Sequence, residues 1–228
     1  MRNALKARVP EIALALAVLA GCSGGESAGR AAADPPRDPI MDPRRFTETA
    51  PERFRARFET SEGSFVVEVH REWAPLGADR FYNLVKAGYY DDTRFYRVVE
   101  GFVAEFGVHA NGTVTRIWQR FELLDDSVRV SNTRGRMSFA ASGPNTRTVQ
   151  VFINLRDNAS LDGRRFAPFG EVVEGMDVVG RLYAGYGDGP PRGDGPYQAQ
   201  AVIQGNEYLD AEFPDLDRIT RASIEPGG

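Results

Sequence analysis

Residues 95–107 read FYRVVEGFVAEFG, a run in which one arginine lies among aromatic and β-branched residues. Val, Phe and Tyr favour strands and glycine favours a turn, so the run predicts two short strands on either side of Gly101. Arg97 is the exception, because a charged side chain in an apolar strand needs a partner or a function. It could also extend from the edge of a sheet into solvent. The run by itself leaves both interpretations of Arg97 open.

Further short strands are predicted on both sides of this run. The stretches at 54–58 and 65–69 alternate apolar and polar residues around a Ser-Glu-Gly turn, which indicates a hairpin. Later apolar stretches that predict strands lie at 136–141, 149–155, 169–173 and 218–224. Many short strands with few helices favour a closed antiparallel barrel or a sandwich over a parallel sheet.

Two helices are predicted among these strands. The first begins at Pro75, carries apolar residues at helical spacing and ends near Gly88. The second covers residues 174–183, and a short helix is expected near 208–212. The stretch 185–196 is rich in Gly and Pro and predicts a loop. Trp118, in an otherwise unassigned stretch, could contact a substrate or pack in the core.

Composition excludes several classes of function. The net charge is -4 and the pI about 5.4, which argues against nucleic acid as a partner. The single cysteine, Cys22, excludes a disulfide framework and a cysteine-based zinc site. His70 and His109 are the two histidines, too few for a histidine-rich metal site. No serine-hydrolase, P-loop or zinc-protease motif is present. We therefore expect no metal and no cofactor.

The N-terminus has the pattern of an export signal. Three basic residues precede an apolar run at 12–20, which is too short to span a bilayer that needs about 20 residues. The run ends in LAGC at 19–22, which resembles the lipobox of bacterial lipoproteins. That resemblance implies removal of residues 1–21, a lipid on Cys22 and, with Ser23 next, the outer membrane. A plain secretory signal that happens to contain Cys22 is the alternative.

Two further regions follow the signal. Residues 22–50 are poor in large apolar side chains and predict a flexible tether. Residues 51–228 predict one domain, with its core motifs in 54–183 and a C-terminal loop and closing strand in 184–228.

Two blocks of sequence resemble the cyclophilin family of peptidyl-prolyl isomerases. Residues 95–107 are similar to the family pattern F-[HY]-R-[VI]-[VI]-x-G-F-[MV]-x-Q-x-G. Residues 138–155, SFAASGPNTRTVQVFINL, are similar to its A-x-[AS]-G-P-N-T-x-x-S-Q-F-F-I pattern, and LDG at 161–163 and FG at 169–170 follow in family order. The resemblance implies a mainly β fold, a closed antiparallel barrel of about eight strands capped by two α-helices.

The resemblance also implies roles for single residues. Arg97 matches the catalytic arginine, Gln150 a polar residue beside the proline pocket, and Ala140 and Ala141 the segment whose backbone pairs with a peptide. The walls and floor of the pocket are implied for Phe102, Val103, Phe152, Leu161 and Phe166. Core packing is the alternative for the aromatic residues of this set.

Several positions depart from the family pattern. Glu105 replaces a glutamine, and a carboxylate can only accept hydrogen bonds, so we expect it to pair with Arg97 and weaken activity. Ser160 replaces a tryptophan found in many relatives, which predicts poor binding of cyclosporin. Phe166 stands where relatives have His or Tyr. Ala141 and Val151 replace Asn and Phe, which reshapes the groove.

We therefore expect an isomerase that accelerates X-Pro isomerisation during folding of cell-envelope proteins. Its partners would be proline-containing polypeptides and, through the lipid on Cys22, the outer membrane facing the periplasm; we expect a monomer. The reaction breaks no bond, so one guanidinium that donates to the imide nitrogen could suffice. The alternative is a catalytically weak proline-peptide-binding or chaperone module, which Glu105 favours.

Overall fold

A computed structural model describes residues 38–226 of the chain. Eight strands form one sheet, and every neighbouring pair in it is antiparallel. The strands are β1 (Arg53–Thr60), β2 (Gly63–His70), β3 (Arg97–Val99), β4 (Val103–Phe106), β5 (Arg136–Phe139), β6 (Val151–Asn154), β7 (Pro168–Glu174) and β8 (Ile219–Ile224). The mainly β fold expected from the sequence is confirmed.

The strand order is β3-β4-β6-β5-β7-β2-β1-β8, so β3 and β8 lie at the two ends of the sheet. The sheet curls until the segments just before these strands meet. Arg94 and Arg218 form an antiparallel bridge there. The Phe95 N–H donates to the Asp217 carbonyl at 2.9 Å beside it. The predicted C-terminal strand is present as β8 and pairs with β1.

Aromatic side chains fill the interior. Phe58 and Phe65 are register partners on β1 and β2, and their rings stack with centroids 4.9 Å apart. Phe106 of β4 meets Phe58 edge-on at 5.6 Å. Phe81 packs on the same cluster from the first helix, 4.9 Å from Phe169. Such pairs add about 0.5–1.5 kcal/mol each beyond the area that they bury.

The described residues contain five α-helices rather than the two expected as caps. They are α1 (Pro75–Lys86), α2 (Gly112–Trp118), α3 (Met176–Val179), α4 (Gln198–Gln204) and α5 (Asn206–Glu212), with short 3-10 helices at Pro39–Met41, Pro43–Arg45 and Ala159–Arg164. The first predicted helix is confirmed as α1. None of the helices within residues 38–226 has the length and apolar character needed to cross a membrane.

The second predicted helix, 174–183, is wrong over most of its length. β7 extends to Glu174, which pairs with Val66 of β2. Gly175 then takes a left-handed backbone (φ 76°), and a Cβ there would lie 2.4 Å from the Ser64 carbonyl oxygen. Strand pairing and this close approach outweigh the helical spacing of the apolar residues, and α3 keeps only four residues.

α2 lies in the stretch that the sequence left unassigned. The Asn111 side chain caps it by accepting from the Thr113 N–H at 2.9 Å. Trp118 is 1% exposed, and its Nε1–H donates to the Ile40 carbonyl at 2.8 Å. Core packing is therefore the correct interpretation of Trp118.

The segment Asp38–Ala50 differs from the predicted tether, because it packs on the domain. Ile40 and Ala50 are buried in the main core, and the Phe46 ring lies 5.7 Å from the Trp118 ring. A few apolar residues in a stretch of polar composition are enough to dock it. The predicted signal, Cys22 and the first part of the tether lie outside the described residues.

Candidate active site

A cavity of about 700 Å³ opens on the outer face of the barrel beside β3, β4 and β6. Its walls include every residue for which the sequence predicted a catalytic or binding role. These are Arg97, Phe102, Val103, Glu105, Ala140, Ala141, Gln150, Phe152, Leu161 and Phe166. The two sequence blocks meet here because β4 pairs with β6.

One half of the cavity is apolar. Val103, Phe152 and Leu161 form a buried cluster separate from the barrel interior, and Phe102 and Phe166 pack against it. The period of two along β4 explains the separation, since alternate side chains point to opposite faces of the sheet. The Phe152 and Phe166 rings meet edge-on at 5.6 Å. These aromatic residues therefore line the cavity rather than the barrel core.

A buried polar network lies behind this apolar cluster. The Asn158 side chain donates to the Phe102 carbonyl at 2.9 Å, and the Asn132 side chain donates to the Phe166 carbonyl at 2.8 Å. Asp162 accepts from the backbone and side chain of Asn132. Burial alone would raise the pKa of Asp162, but its hydrogen bonds hold the pKa below the ordinary value. The network fixes the backbone on both sides of the apolar cluster, and sequence analysis did not identify it.

The other half of the cavity centres on Arg97. Its Nη1 donates to Glu105 Oε2 at 3.0 Å. Its Nε and Nη2 donate to Asp188 Oδ1 and Oδ2 at 2.7 and 3.3 Å. The guanidinium carbon lies 5.8 Å from the centre of the Phe102 ring. Arg97 therefore has two charged partners in the cavity and does not extend freely into solvent.

Glu105 is buried and uses both carboxylate oxygens. Oε2 accepts from Arg97, and Oε1 accepts from the Tyr96 hydroxyl. Burial raises the pKa of Glu105, although the hydrogen bonds from Tyr96 and Arg97 oppose the shift. Burial also raises the pKa of the Tyr96 hydroxyl, and the charge of Glu105 adds to this. The expected pairing of Glu105 with Arg97 is present.

Asp188 is a charged site residue that the sequence did not predict. The hydrogen bond to Arg97 lowers the pKa of the Asp188 carboxyl. Burial would lower the pKa of Arg97, but Asp188 and Glu105 together raise it. Asp188 lies in the predicted loop 185–196, and 91 positions separate it from Arg97. Nothing in the local pattern of a Gly-rich loop indicates which distant side chain it will meet.

Gln150 and Ala140 lie side by side at the edge of the cavity. The Ala140 N–H donates to the Gln150 carbonyl at 2.9 Å, so this backbone donor is already used within the sheet. Gln150 Oε1 accepts from the Gln198 side chain at 3.3 Å. Its buried Nε2 has no hydrogen-bond partner among the described residues. Gln150 thus presents a donor that a ligand could use.

No group of three or more metal-binding side chains within residues 38–226 is placed to hold a metal ion. The polar groups gathered around Arg97 in the cavity are its guanidinium, the carboxylates of Glu105 and Asp188 and the amide of Gln150, beside the apolar wall. Such a set can bind a peptide and polarise an amide. It resembles neither a nucleophile-base pair nor a pair of carboxylates that transfer protons.

Comparisons with known proteins agree with this geometry. The family model described as "Cyclophilin type peptidyl-prolyl cis-trans isomerase/CLD" matches residues 55–205. A peptidyl-prolyl cis-trans isomerase of Acinetobacter baylyi is 33% identical over 129 residues, covering 54% of this chain and 69% of that protein. Peptidyl-prolyl cis-trans isomerase B of Escherichia coli is 32% identical over 133 residues, covering 55% and 81%.

A solved structure supports the fold. The crystal structure of a cyclophilin-type peptidyl-prolyl cis-trans isomerase from Cryptosporidium parvum aligns with a TM-score of 0.57 at 21% identity, covering 77% of this chain and 99% of that one. The same protein in the presence of the dipeptide Ala-Pro aligns with a TM-score of 0.56 at 20% identity. The family match, the related sequences and the fold together show that the chain belongs to the cyclophilin-type peptidyl-prolyl cis-trans isomerase family.

Proposed function

We propose that the protein isomerises X-Pro bonds in extended segments of cell-envelope proteins while they fold, with Arg97 as the catalytic residue. The observation that carries the proposal is the position of the Arg97 guanidinium at the edge of an apolar pocket, 5.8 Å from the Phe102 ring. A proline ring in that pocket brings its own imide nitrogen within reach of the guanidinium.

The energetics of the reaction suit this arrangement. Rotation about a peptide bond is opposed by about 18–20 kcal/mol of lost resonance, and uncatalysed X-Pro exchange takes tens to hundreds of seconds. A hydrogen bond from Arg97 to the imide nitrogen favours the twisted amide over both planar forms. Each 1.4 kcal/mol or so of such preference gives about a tenfold acceleration. Arg97 can supply it at any relevant pH, because a guanidinium stays charged.

The remaining groups of the cavity bind the chain around the proline. The cluster of Val103, Phe152 and Leu161 offers apolar area to the ring. Nε2 of Gln150, which has no hydrogen-bond partner among the described residues, can donate to a peptide carbonyl. Together these contacts hold one side of the X-Pro bond while the other side turns.

The site of action follows from the N-terminal pattern. The basic residues, short apolar run and LAGC at 19–22 support export and acylation of Cys22, and Ser23 supports the outer membrane. A lipid-anchored isomerase would meet envelope proteins as they emerge unfolded in the periplasm. Mass spectrometry of the mature N-terminus tests this, and Cys22→Ala should release the protein from the membrane fraction. Membrane retention of that variant would contradict the anchor.

A second candidate function is proline-peptide binding with weak catalysis. It is favoured by one observation, that two carboxylates, Glu105 and Asp188, already pair with Arg97. Their negative charges reduce the positive potential of the Arg97 guanidinium, which stabilises the twisted amide. A module of this kind would retain unfolded chains rather than accelerate their isomerisation.

Parallel measurements of binding and turnover separate the two candidates. A protein that begins at Ser23 avoids the lipid and keeps every described residue. Nuclear magnetic resonance (NMR) titration with an Ala-Pro peptide measures binding, and a prolyl-isomerisation assay measures turnover. The proposed function predicts both. Binding without acceleration over the uncatalysed rate would support the second candidate instead.

A further inference from the structure

The loop 185–196 brings a carboxylate to the catalytic guanidinium. Asp188 accepts side-on from Arg97, with Oδ1 facing Nε at 2.7 Å and Oδ2 facing Nη2 at 3.3 Å. We propose that Asp188 is a positioning residue that fixes the orientation of the Arg97 guanidinium for isomerisation. This inference rests on the proposed catalytic role of Arg97.

The loop is built closely around Asp188. The Gly195 N–H donates to the Asp188 carbonyl at 2.9 Å. A Cβ on Gly193 would lie 2.3 Å from that same oxygen, and one on Gly189 would lie 2.5 Å from the Pro196 carbonyl oxygen. Any side chain at Gly189 or Gly193 would push the loop apart. The backbone of Asp188 is therefore held by packing as well as by its carboxylate.

The base of the loop is also anchored. The Tyr186 ring packs edge-on between Tyr183 and Phe213, with centroids 5.1 and 5.0 Å away. Its hydroxyl donates to Asp215 at 3.1 Å. Asp188 thus projects from a segment tied to the C-terminal part of the domain. An anchored segment of this kind can hold a partner side chain in one orientation, which a mobile surface loop cannot.

The carboxylate itself has little freedom. Besides Arg97, Asp188 Oδ1 accepts from the Gly189 N–H at 3.0 Å, and Arg192 lies 3.8 Å from Oδ2. The Asp188 side chain is 21% exposed. A side-on pair sets the plane of a guanidinium as well as its position, because two parallel N–H groups must meet two oxygens. Asp188 therefore defines the plane in which Arg97 faces the cavity.

The pairing leaves donors for the substrate. A guanidinium has five N–H groups. Within the described part of the chain, one goes to Glu105 and two go to Asp188, so one N–H on Nη1 and one on Nη2 remain. Because the plane is set, the direction of these two N–H groups is set as well. Arg97 can therefore donate a hydrogen bond to the imide nitrogen of a twisted X-Pro bond without first losing side-chain freedom.

Charge and orientation can be separated by a matched pair of variants. Asp188→Ala and Glu105→Gln each remove one negative charge from the same guanidinium. Glu105→Gln keeps an acceptor for Nη1, whereas Asp188→Ala removes the acceptors for Nε and Nη2. If charge alone mattered, both variants would change the rate in the same direction. If Asp188 positions Arg97, they change it in opposite directions.

The test measures kcat and KM for an Ala-Pro peptide, with thermal unfolding as a check on folding. We expect Asp188→Ala to lower kcat about tenfold or more and to leave KM within about twofold. Asp188→Asn keeps one acceptor oxygen and should fall between wild type and Asp188→Ala. The control is Asp194→Ala, which removes an exposed carboxylate from the same loop and should match wild type. An unchanged kcat in Asp188→Ala would overturn the proposal, and a higher kcat would in addition make Asp188 an inhibitory partner.

An NMR signal reports on the pair independently of turnover. The Arg97 Nε–H should exchange slowly with water in wild type and in Asp194→Ala, and rapidly in Asp188→Ala. Equal exchange in all three proteins would also overturn the proposal. Inactivity of the wild type would contradict the proposed function instead, whereas an active wild type with an equally active Asp188→Ala contradicts the positioning role alone.

Discussion

Arg97 and Glu105 are register partners on β3 and β4, and Nη1 of the arginine donates to Oε2 of the glutamate at 3.0 Å. The hairpin thus builds an ion pair into the wall of the cavity, with Glu105 buried and also bonded to Tyr96. A buried charge of this kind is held in place by its partners and is costly to leave unpaired. It reduces the positive potential that Arg97 can direct at a substrate.

Replacement of Glu105 by glutamine should raise kcat/KM several-fold. A glutamine Oε1 can still accept from Arg97, and its amide can donate to the Tyr96 oxygen, so the geometry is kept while one negative charge is lost. The isomerisation assay measures the change. Glu100→Gln, at the exposed turn between β3 and β4, is the matched control. An unchanged or lower kcat/KM for Glu105→Gln would contradict the inference that the carboxylate weakens catalysis.

The pH dependence of kcat/KM should follow the titration of Glu105. Burial raises its pKa above the ordinary 4.5, whereas Arg97 lowers the pKa of Asp188, so Glu105 takes up a proton first as pH falls. Protonation removes one negative charge beside Arg97. The kcat/KM of wild type should therefore rise as pH falls through the raised pKa of Glu105, and that of Glu105→Gln should stay level over the same window.

The raised pKa of Glu105 should also make the stability of the fold depend on pH. Because the folded pKa of Glu105 lies above the unfolded one, its favourable contribution is complete below the unfolded pKa and is lost as pH rises through the folded pKa. The free energy of unfolding of wild type should therefore fall relative to Glu105→Gln over that interval. Urea unfolding of both proteins at several pH values checks this. A wild type that becomes more stable than Glu105→Gln as pH rises would contradict it.

The apolar half of the cavity should bind substrate without supporting the fold. Phe166 is partly exposed beside Phe152, so Phe166→Ala removes about 1–2 kcal/mol of contact and should weaken Ala-Pro peptide binding by roughly tenfold. The contrasting variant is Phe139→Ala, deep in the barrel, which should cost about 3–5 kcal/mol of stability. NMR titration and urea unfolding separate the two effects. Equal peptide affinity in wild type and Phe166→Ala would argue against this pocket.

Cyclosporin should bind poorly, because Ser160 stands where many relatives have a tryptophan. Ser160 is exposed on the 3-10 helix that carries Leu161 of the pocket, so an indole at this position could cover the cavity edge. We expect Ser160→Trp to strengthen binding, since it adds apolar area and an N–H donor. Calorimetric titration of both proteins provides the measurement. Tight binding by wild type would show that the groove does not need that side chain.

The segment before β1 should contribute measurably to stability. The Ile40 side chain is 7% exposed and packs in the main core, so Ile40→Ala should cost about 2 kcal/mol or more through lost apolar burial, while the backbone carbonyl that accepts from Trp118 is kept. Arg45→Ala, at an exposed position of the same segment, should be nearly neutral. Equal unfolding midpoints in urea for Ile40→Ala and wild type would mean that the segment is not docked in solution.

The parts of the site within the two motif blocks could be predicted from sequence. Arg97, Glu105 and the pocket residues Val103 and Phe152 lie on β3, β4 and β6, where strand pairing and alternation determine which residues share a face. Strand pairing and alternation apply to any pair of neighbouring strands, so the two motif blocks predict the positions of several site residues together.

The parts that escaped prediction depend on contacts between distant segments. Asp188 meets Arg97 across 91 positions, through a loop whose glycines indicate only that it turns. The docking of Ile40 depends on Trp118, which lies in a stretch that the sequence left unassigned. The helix predicted over 174–183 was overruled by pairing of β7 with β2. In each case tertiary packing outweighs the local signal.

The central claim is that Arg97 catalyses the rotation, and exchange spectroscopy of an Ala-Pro peptide tests it most directly. One sample yields both the peptide affinity and the cis-trans exchange rate, for wild type and for Arg97→Ala. We predict that Arg97→Ala binds the peptide within a few-fold of wild type but loses about a hundredfold or more of the catalysed exchange. Exchange at the wild-type rate in Arg97→Ala would contradict the account.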